Sequence, residues 1–314
     1  MDKTSNKTKN APAVIASNKS LKSRIFQYRH LYIMFLPVLV LLILFYYLPM
    51  LGIRIAFYDW GMFGPIEFVG FDNFKTILSS NMFLRAFRNT LTLSFTNLVL
   101  GMFFSIIFAL LLNEVNNLKF KKISQTVLYL PHFLSWVVVA SIFTIILSPQ
   151  GGFVNTVLAK FGQKSIYFLV SEKWWTPIYL FINRWKETGW GTIIFIAAIM
   201  GIDLSMYEAA GIDGAGKLKQ VWYITLPAIQ NTILVVFILN LAKVLNVFES
   251  VLVLYNSMVY DVADVIGTYN YRAGLLNQDY GIATAVGLFK SVVSLILVIL
   301  ANRISKRING KGIL

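Results

Sequence analysis

Six apolar stretches, each long enough to cross a hydrocarbon layer of about 30 Å as roughly 20 residues of helix, govern what this 314-residue chain can become. They fall at residues 31–57, 89–112, 125–148, 178–200, 232–254 and 281–302. A chain that is 57% hydrophobic and only 13% charged has too little polar surface for a water-soluble domain of this size, so lipid is the solvent for most of its exterior. The sequence therefore predicts an all-α integral membrane protein with six transmembrane helices. The first stretch is too long for a signal-peptide core and no small-residue cleavage site follows it, so it is expected to be retained as a span. Residues 1–20 are polar and rich in Lys, Asn and Ser, a composition that predicts disorder.

The net charge of +14 orients the spans. Sixteen Lys and Arg lie in the tail 1–30, the segment with Lys119, Lys121 and Lys122, the segment with Lys217 and Lys219, and the tail from Arg303; only seven lie in the opposite loops. The positive-inside rule then places both termini in the cytoplasm, and Tyr46, Tyr47, Trp60, Trp174 and Trp175 mark the outer boundary. The division expected is a basic tail (1–30), a six-helix domain (31–302) with a structured cytoplasmic loop at 203–227, and a second basic tail (303–314). A basic excess that orients spans does not indicate nucleic-acid binding. The absence of cysteine removes disulfides, Cys-ligated zinc and thiol nucleophiles.

The loop after the fourth span carries the densest pattern. Ser205 followed by Glu208 fits a capping box at the start of a short helix, Gly211, Gly214 and Gly216 permit a tight reversal, a second helix runs from Lys217 to Ile224, and Pro227 suits the first turn of span five. Within it, Glu208-Ala209-Ala210, Gly214, Ile224 and Leu226-Pro227 stand at spacings by which the chain resembles the membrane-spanning permeases of binding-protein-dependent ABC importers: Glu-Ala-Ala, three residues, Gly, nine residues, Ile, one residue, Leu-Pro. Tyr47-Leu48-Pro49-Met50, Phe68-Val69-Gly70-Phe71-Asp72-Asn73-Phe74, Arg88-Asn89-Thr90-Leu91 and Ala301-Asn302-Arg303-Ile304 extend the resemblance, towards permeases for oligosaccharides from plant or algal polysaccharides.

The resemblance implies a type I importer architecture in a bacterial cytoplasmic membrane. It implies as partners a second, non-identical permease, two ATPase subunits that hold ATP and Mg²⁺, and an extracellular solute-binding protein that delivers an oligosaccharide; no cofactor is implied for this chain itself. It also implies that Glu208, Ala209, Ala210, Gly211, Asp213, Gly214, Leu226 and Pro227 couple the spans to the ATPase. A reading in which Glu208 only caps its helix and the glycines only shape a turn stays open beside it.

Polar groups inside spans give the substrate-pathway candidates. Asn240, Lys243, Asn246 and Glu249 recur every third residue, which on a helix keeps them on one slowly drifting face, expected to line a pathway or to bridge helices. Asn183, Trp185 and Glu187 sit in a polar, aromatic run at residues 183–190 that suits sugars, whose ring faces stack on indoles while hydroxyls need amides and carboxylates; an interfacial belt with Arg184 and Lys186 snorkelling is the alternative. Lys290, Ser291 and Ser294 could face the same cavity, and Lys243 or Arg184 could neutralise a uronate. His30 and His132 are the only histidines, and no HExxH, nucleophile elbow or Walker A sequence occurs, so the chain is not expected to be an enzyme or to hydrolyse ATP. No Arg ladder or potassium-channel filter is present, which leaves a six-span channel as the weaker reading beside a permease for a non-sugar solute.

Overall fold

The computed structural model describes residues 26–309 except Met62. The basic tail as far as residue 25, including Lys3 to Arg24, and the C-terminal Lys311 lie outside the described residues. The described chain is helical apart from one two-stranded hairpin and divides into two compact units, one ending at Ile53 and the other beginning at Arg54.

The first unit contributes helix α1 (Arg29–Leu42), a π turn (Ile43–Tyr47) and a short helical turn (Leu48–Met50). Every residue from Phe26 to Leu51 is exposed, as an apolar helix in contact with lipid would be. The π turn has a local cause. The ring of Pro49 cannot accommodate the carbonyl four residues earlier, and the ladder widens so that the Leu48 N–H donates to the Ile43 carbonyl. The same device recurs in the second unit: a π turn at Val221–Thr225, in which the Leu226 N–H donates to the Val221 carbonyl, precedes Pro227.

The second unit begins with the hairpin β1 (Tyr58–Gly61) and β2 (Gly64–Phe68), followed by α2 (Asp72–Ser79). Here the 68–74 motif resolves into packing. Gly70 adopts φ +56°, a conformation glycine reaches without strain, and the Asn73 side chain donates to the carbonyls of Ala56 (3.0 Å) and Tyr58 (2.9 Å). Phe57, Phe71 and Phe74 form a triangle of rings 5.4–5.8 Å apart.

The helices that follow are α3 (Asn81–Glu114), α4 (Leu118–Tyr129), α5 (Trp136–Ile146), α6 (Phe153–Lys160), α7 (Glu172–Met200), α8 (Leu204–Ile212), α9 (Lys217–Gln220), α10 (Gln230–Leu241), α11 (Ile266–Tyr271) and α12 (Tyr280–Asn309), with single helical turns at Leu226–Ala228, Glu249–Leu252 and Tyr260–Ala263. Three candidate spans are uninterrupted: Arg29–Phe57, Asn81–Glu114 and Tyr280–Arg307. Three more arise only as bent pairs, so among the described residues there are three to six spans.

Two of the straight spans expected from hydropathy are therefore corrected. The third bends by 102° between Leu118–Phe133 and Trp136–Ile146. Pro131 occupies a 3₁₀ turn at Leu130–Phe133, and the Ser135 hydroxyl then caps a new helix by accepting from the Val138 N–H (3.3 Å). The fifth bends by 60° after Pro227 and loses its helix beyond Leu241. Residues 246–248 are not helical, and the backbone of α11 closes on them at Gly267, where a Cβ would stand 2.7 Å from the Val247 carbonyl. Irregular backbone is tolerated at membrane depth where protein or a cavity surrounds it, and Val247 and Ser250 line the cavity described below.

Three buried clusters hold the unit together. One gathers Trp175, Tyr179, Val139, Phe143 and Val251; a second Ile77, Phe83, Leu245, Ile266 and Val286; a third Ala109, Phe195, Ile199 and Ile229. Helix α7 takes part in the first and third, and small residues let it come close to its neighbours. At Gly189 an added Cβ would fall on the Leu128 carbonyl, 2.6 Å from its carbon and 3.1 Å from the Tyr129 Cα. Because those atoms are backbone, they cannot swing aside. Gly189→Ala is expected to lower stability by about 1–3 kcal/mol, outweighing the roughly 1 kcal/mol gain in helix propensity. Gly287→Ala, with nothing within 4 Å, is expected to raise it slightly. Thermal unfolding of both variants in detergent checks the opposite signs.

Candidate functional site

The loop from 203 to 227 folds as a short helix, a reversal and a second helical segment, with different caps from those expected. Helix α8 is capped by Asp203, whose carboxylate accepts from the Ser205 N–H (2.9 Å); Ser205 lies inside the helix, which corrects the Ser205–Glu208 capping box. That backbone hydrogen bond, with a second from the Ser205 side chain, holds the Asp203 carboxyl below its ordinary pKa.

At the other end only one glycine has the role expected of three. Gly214 adopts φ +76°, the Ala215 N–H donates to the Ala210 carbonyl (2.8 Å) and the Gly214 N–H to the Gly211 carbonyl (3.1 Å). This is a Schellman ending, which satisfies carbonyls that the last turn leaves free. Glu208, Ala209, Gly211, Ile212, Asp213 and Gly214 are exposed, Ile212 at 88%, while Ala210 is half-buried. The helix is tied back by the Tyr207 hydroxyl, 2.8 Å from Thr225 Oγ1. Lys217 pairs with Glu114 at the end of α3 (3.0 Å). Leu226 and Pro227 form the turn that follows the second π segment.

A second feature lies between α3, α7 and the segment from Asn240 to Ser250: a cavity of about 310 Å³. Asn183 and Glu187 from α7 line it together with Asn240 and Lys243. Trp185, Asn246 and Glu249 are not among its lining residues, nor are Lys290, Ser291 and Ser294. The helical stripe drawn through 240, 243, 246 and 249 fails because the helix ends at Leu241. Trp185 instead packs edge-to-face with Phe143 at 5.4 Å, and the Asn240 amide donates to the Val236 carbonyl (2.9 Å).

The run at 183–190 divides into two roles. Lys186 is 4% exposed; its ammonium donates to the His132 carbonyl (2.7 Å), lies 3.4 Å from Glu187 and stands 5.3 Å from the Trp136 ring. His132 Nδ1 is 2.9 Å from the other Glu187 oxygen, and its ring stacks on Trp190 at 4.6 Å. Lys186 therefore locks the elbow between α4 and α5 onto α7, and does not snorkel. Asn183 and Arg184 face the cavity, where Arg184 Nη2 donates to Asn183 Oδ1 (2.7 Å) and to Asn97 Oδ1 (3.1 Å). Tyr179 and Ser250 join hydroxyls across the same space (3.0 Å). Ser94, Asn97 and Ser105 of α3 complete the polar wall. Sequence reasoning passed over them, although Asn97 within an otherwise apolar span was a readable signal.

Comparison with known proteins gives a consistent result. Residues 101–310 match the family described as binding-protein-dependent transport system inner membrane component. The chain is 44% identical over 313 residues, 96% of its own length and 98% of the other's, to the polygalacturonan/rhamnogalacturonan transport system permease protein YteP of Bacillus subtilis. It is 42% identical over 287 residues to protein LplB of the same organism, covering 90% of each. Among solved structures, it superimposes with a TM-score of 0.87 and 42% identity, over 92% of this chain and 99% of the other, on a chain of a bacterial ABC transporter involved in import of the acidic polysaccharide alginate. A second structure of a bacterial alginate ABC transporter, with its pentasaccharide-bound periplasmic protein, gives 0.88 over 94% of this chain and all of the other. The chain belongs to the family of binding-protein-dependent transport system inner membrane components, as a multi-pass permease of an ABC importer and not a catalytic subunit.

Proposed function

We propose that the chain forms half of the translocation pathway of an ATP-driven importer of oligosaccharides derived from a polysaccharide, with the cavity between α3 and α7 as part of that pathway. The observation that carries this reading is the cavity's lining. Amides (Asn97, Asn183, Asn240), hydroxyls (Ser94, Ser105, Tyr179, Ser250) and an indole (Trp190) surround one space, the combination that a sugar's hydroxyls and apolar ring faces require. The named substrates of the similar permease YteP and of the alginate transporter support an oligosaccharide rather than another solute.

In this reading a non-identical second permease supplies the other half of the pathway, an extracellular binding protein delivers the sugar, and two ATPase subunits on the cytoplasmic side bind ATP and Mg²⁺. Helix α8 docks in a cleft of an ATPase subunit, with both termini of the chain cytoplasmic in a bacterial membrane. Glu208, Ala209, Gly211 and Asp213 give that helix its outward surface with Ala210 half-buried beside them, Gly214 ends it, and Leu226-Pro227 joins it to the span above. The domain division follows the same logic: two basic tails flank one membrane domain, and the loop 203–227 transmits motion.

Reconstitution of the complete transporter in vesicles tests this. Uptake of labelled oligosaccharides is expected to need both the binding protein and ATP hydrolysis. Passive flux that needs neither would overturn the importer reading in favour of a channel.

A further inference from the structure

The cavity is lined by four titratable side chains: Tyr179, Arg184, Glu187 and Lys243. Their pairing is lopsided. Glu187 is engaged on both oxygens, by His132 at 2.9 Å and Lys186 at 3.4 Å. Arg184 and Lys243 have no carboxylate of this chain within ion-pair distance among the described residues. Arg184 meets only the amide oxygens of Asn97 and Asn183, although a guanidinium carries five N–H donors. Its Nε has no partner, and neither have Asn97 Nδ2 and Ser94 Oγ beside it. A cation at membrane depth is costly unless an anion balances it.

A second observation is independent of charge. Gly101, on α3, faces Arg184 so closely that an added Cβ would clash with Nη1 and lie 3.3 Å from Cζ. Glycine is a poor residue for the interior of a long helix. Its place here leaves the space into which the guanidinium extends against α3, where it is held by Asn97, one turn earlier on the same helix.

We infer that Arg184 and Lys243 are a carboxylate-reading pair, that they bias the cavity towards oligosaccharides bearing uronate groups over neutral ones, and that Gly101 positions Arg184 for this task. The inference rests on the importer reading and deepens it by naming the substrate class. A uronate carboxylate accepts two parallel N–H bonds from a guanidinium, whereas a hydroxyl cannot match that fork. Lys243 adds a second positive charge without the fork.

The test uses the complete transporter with its binding protein, in vesicles, and two probes of equal length: an oligogalacturonate and its fully methyl-esterified, uncharged counterpart. The readout is the ratio of acidic to neutral uptake in each variant relative to the unsubstituted protein, which cancels the binding protein's own preference. Arg184→Gln is expected to lower that ratio by about tenfold to a hundredfold. Lys243→Met should lower it less. Gly101→Ala should lower it in the direction of Arg184→Gln, because the flexible guanidinium gives way while the helix stays intact. An unchanged ratio in assembled Arg184→Gln complexes overturns the inference and leaves the importer reading standing. If Arg184→Gln does not assemble, Gly101→Ala and Lys243→Met decide the matter, and an unchanged ratio in both overturns it. If the unsubstituted transporter takes up neither probe nor any other oligosaccharide, the importer reading fails and the inference falls with it.

Discussion

Gly214→Val is expected to abolish ATP-driven uptake, by at least tenfold, while the chain still inserts in the membrane. The added side chain would strike nothing, since no atom lies within 4 Å of the Cβ position. Its effect comes through the backbone. At φ +76° a β-branched residue is strained by about 1–2 kcal/mol, and relief means abandoning the left-handed conformation. The bonds from Ala215 to the Ala210 carbonyl and from Gly214 to that of Gly211 would go with it. A nine-residue helix is too short to persist on propensity alone, and beyond its Asp203 cap α8 is tied down mainly by Tyr207 to Thr225. The surface bearing Glu208 would fray. Gly214→Asn, which tolerates the left-handed region, should keep most activity, and Gly214→Ala should fall between the two. Co-purification of the ATPase and transport-coupled ATP hydrolysis measure the series. Equal behaviour of the Val and Asn variants would show that ending the helix is not what Gly214 does.

This residue also shows how far the sequence could be read. The spacing of Glu208, Gly214 and Pro227 located the loop and predicted two helices with a reversal, because local patterns of caps and glycines act over a few residues. The choice of cap did not follow. Asp203 and Ser205 are both good capping residues two positions apart, and the structure uses the first because its carboxylate reaches the Ser205 N–H. Three glycines look alike in a sequence, and only the backbone dihedrals single out Gly214.

Hydropathy located all six apolar stretches, yet it could not see that the third and fifth are broken. A hydropathy average responds to composition, which does not change across the elbow at Ser135 or the unwound stretch after Leu241. The cavity followed the same limit. Asn240 and Lys243 were readable as polar groups in an apolar span, but projecting them onward to Asn246 and Glu249 assumed a helix that ends. In the run at 183–190, alternate fates of neighbouring residues depend on what packs on each side of α7: Arg184 meets Asn97 of α3, Lys186 meets the His132 carbonyl before the elbow. Those partners lie 87 and 54 residues away, beyond any local pattern.

The largest loss of stability is expected from Asp264→Ala, about 3–5 kcal/mol, read as a fall in thermal unfolding temperature in detergent. Asp264 is 2% exposed and accepts from Arg272 Nη1 (2.8 Å), Arg272 Nη2 (2.5 Å) and the Thr268 hydroxyl (2.7 Å). The hydrogen bonds from Arg272 to the carboxylate are the main reason that the guanidinium pKa rises above its ordinary value, so Arg272 stays charged throughout the accessible pH range. Around it the Arg88-Asn89-Thr90-Leu91 motif acts as a clamp. Asn89 donates to the carbonyls of Asp261 (3.0 Å) and Asp264 (3.1 Å), Thr90 Oγ1 accepts from the Ile266 N–H (2.8 Å), and Arg85 pairs with Asp261. Removing Asp264 leaves the Arg272 cation largely buried against the Tyr260 ring, 4.8 Å away, with no anion to balance it. Most of the loss is that uncompensated charge, not the value of the pair. The double variant Asp264→Ala/Arg272→Met should therefore be more stable than Asp264→Ala alone, since neither charge remains. If the double variant is the less stable of the two, the charge argument is wrong and the pair's hydrogen-bonded geometry itself holds α11 against α3.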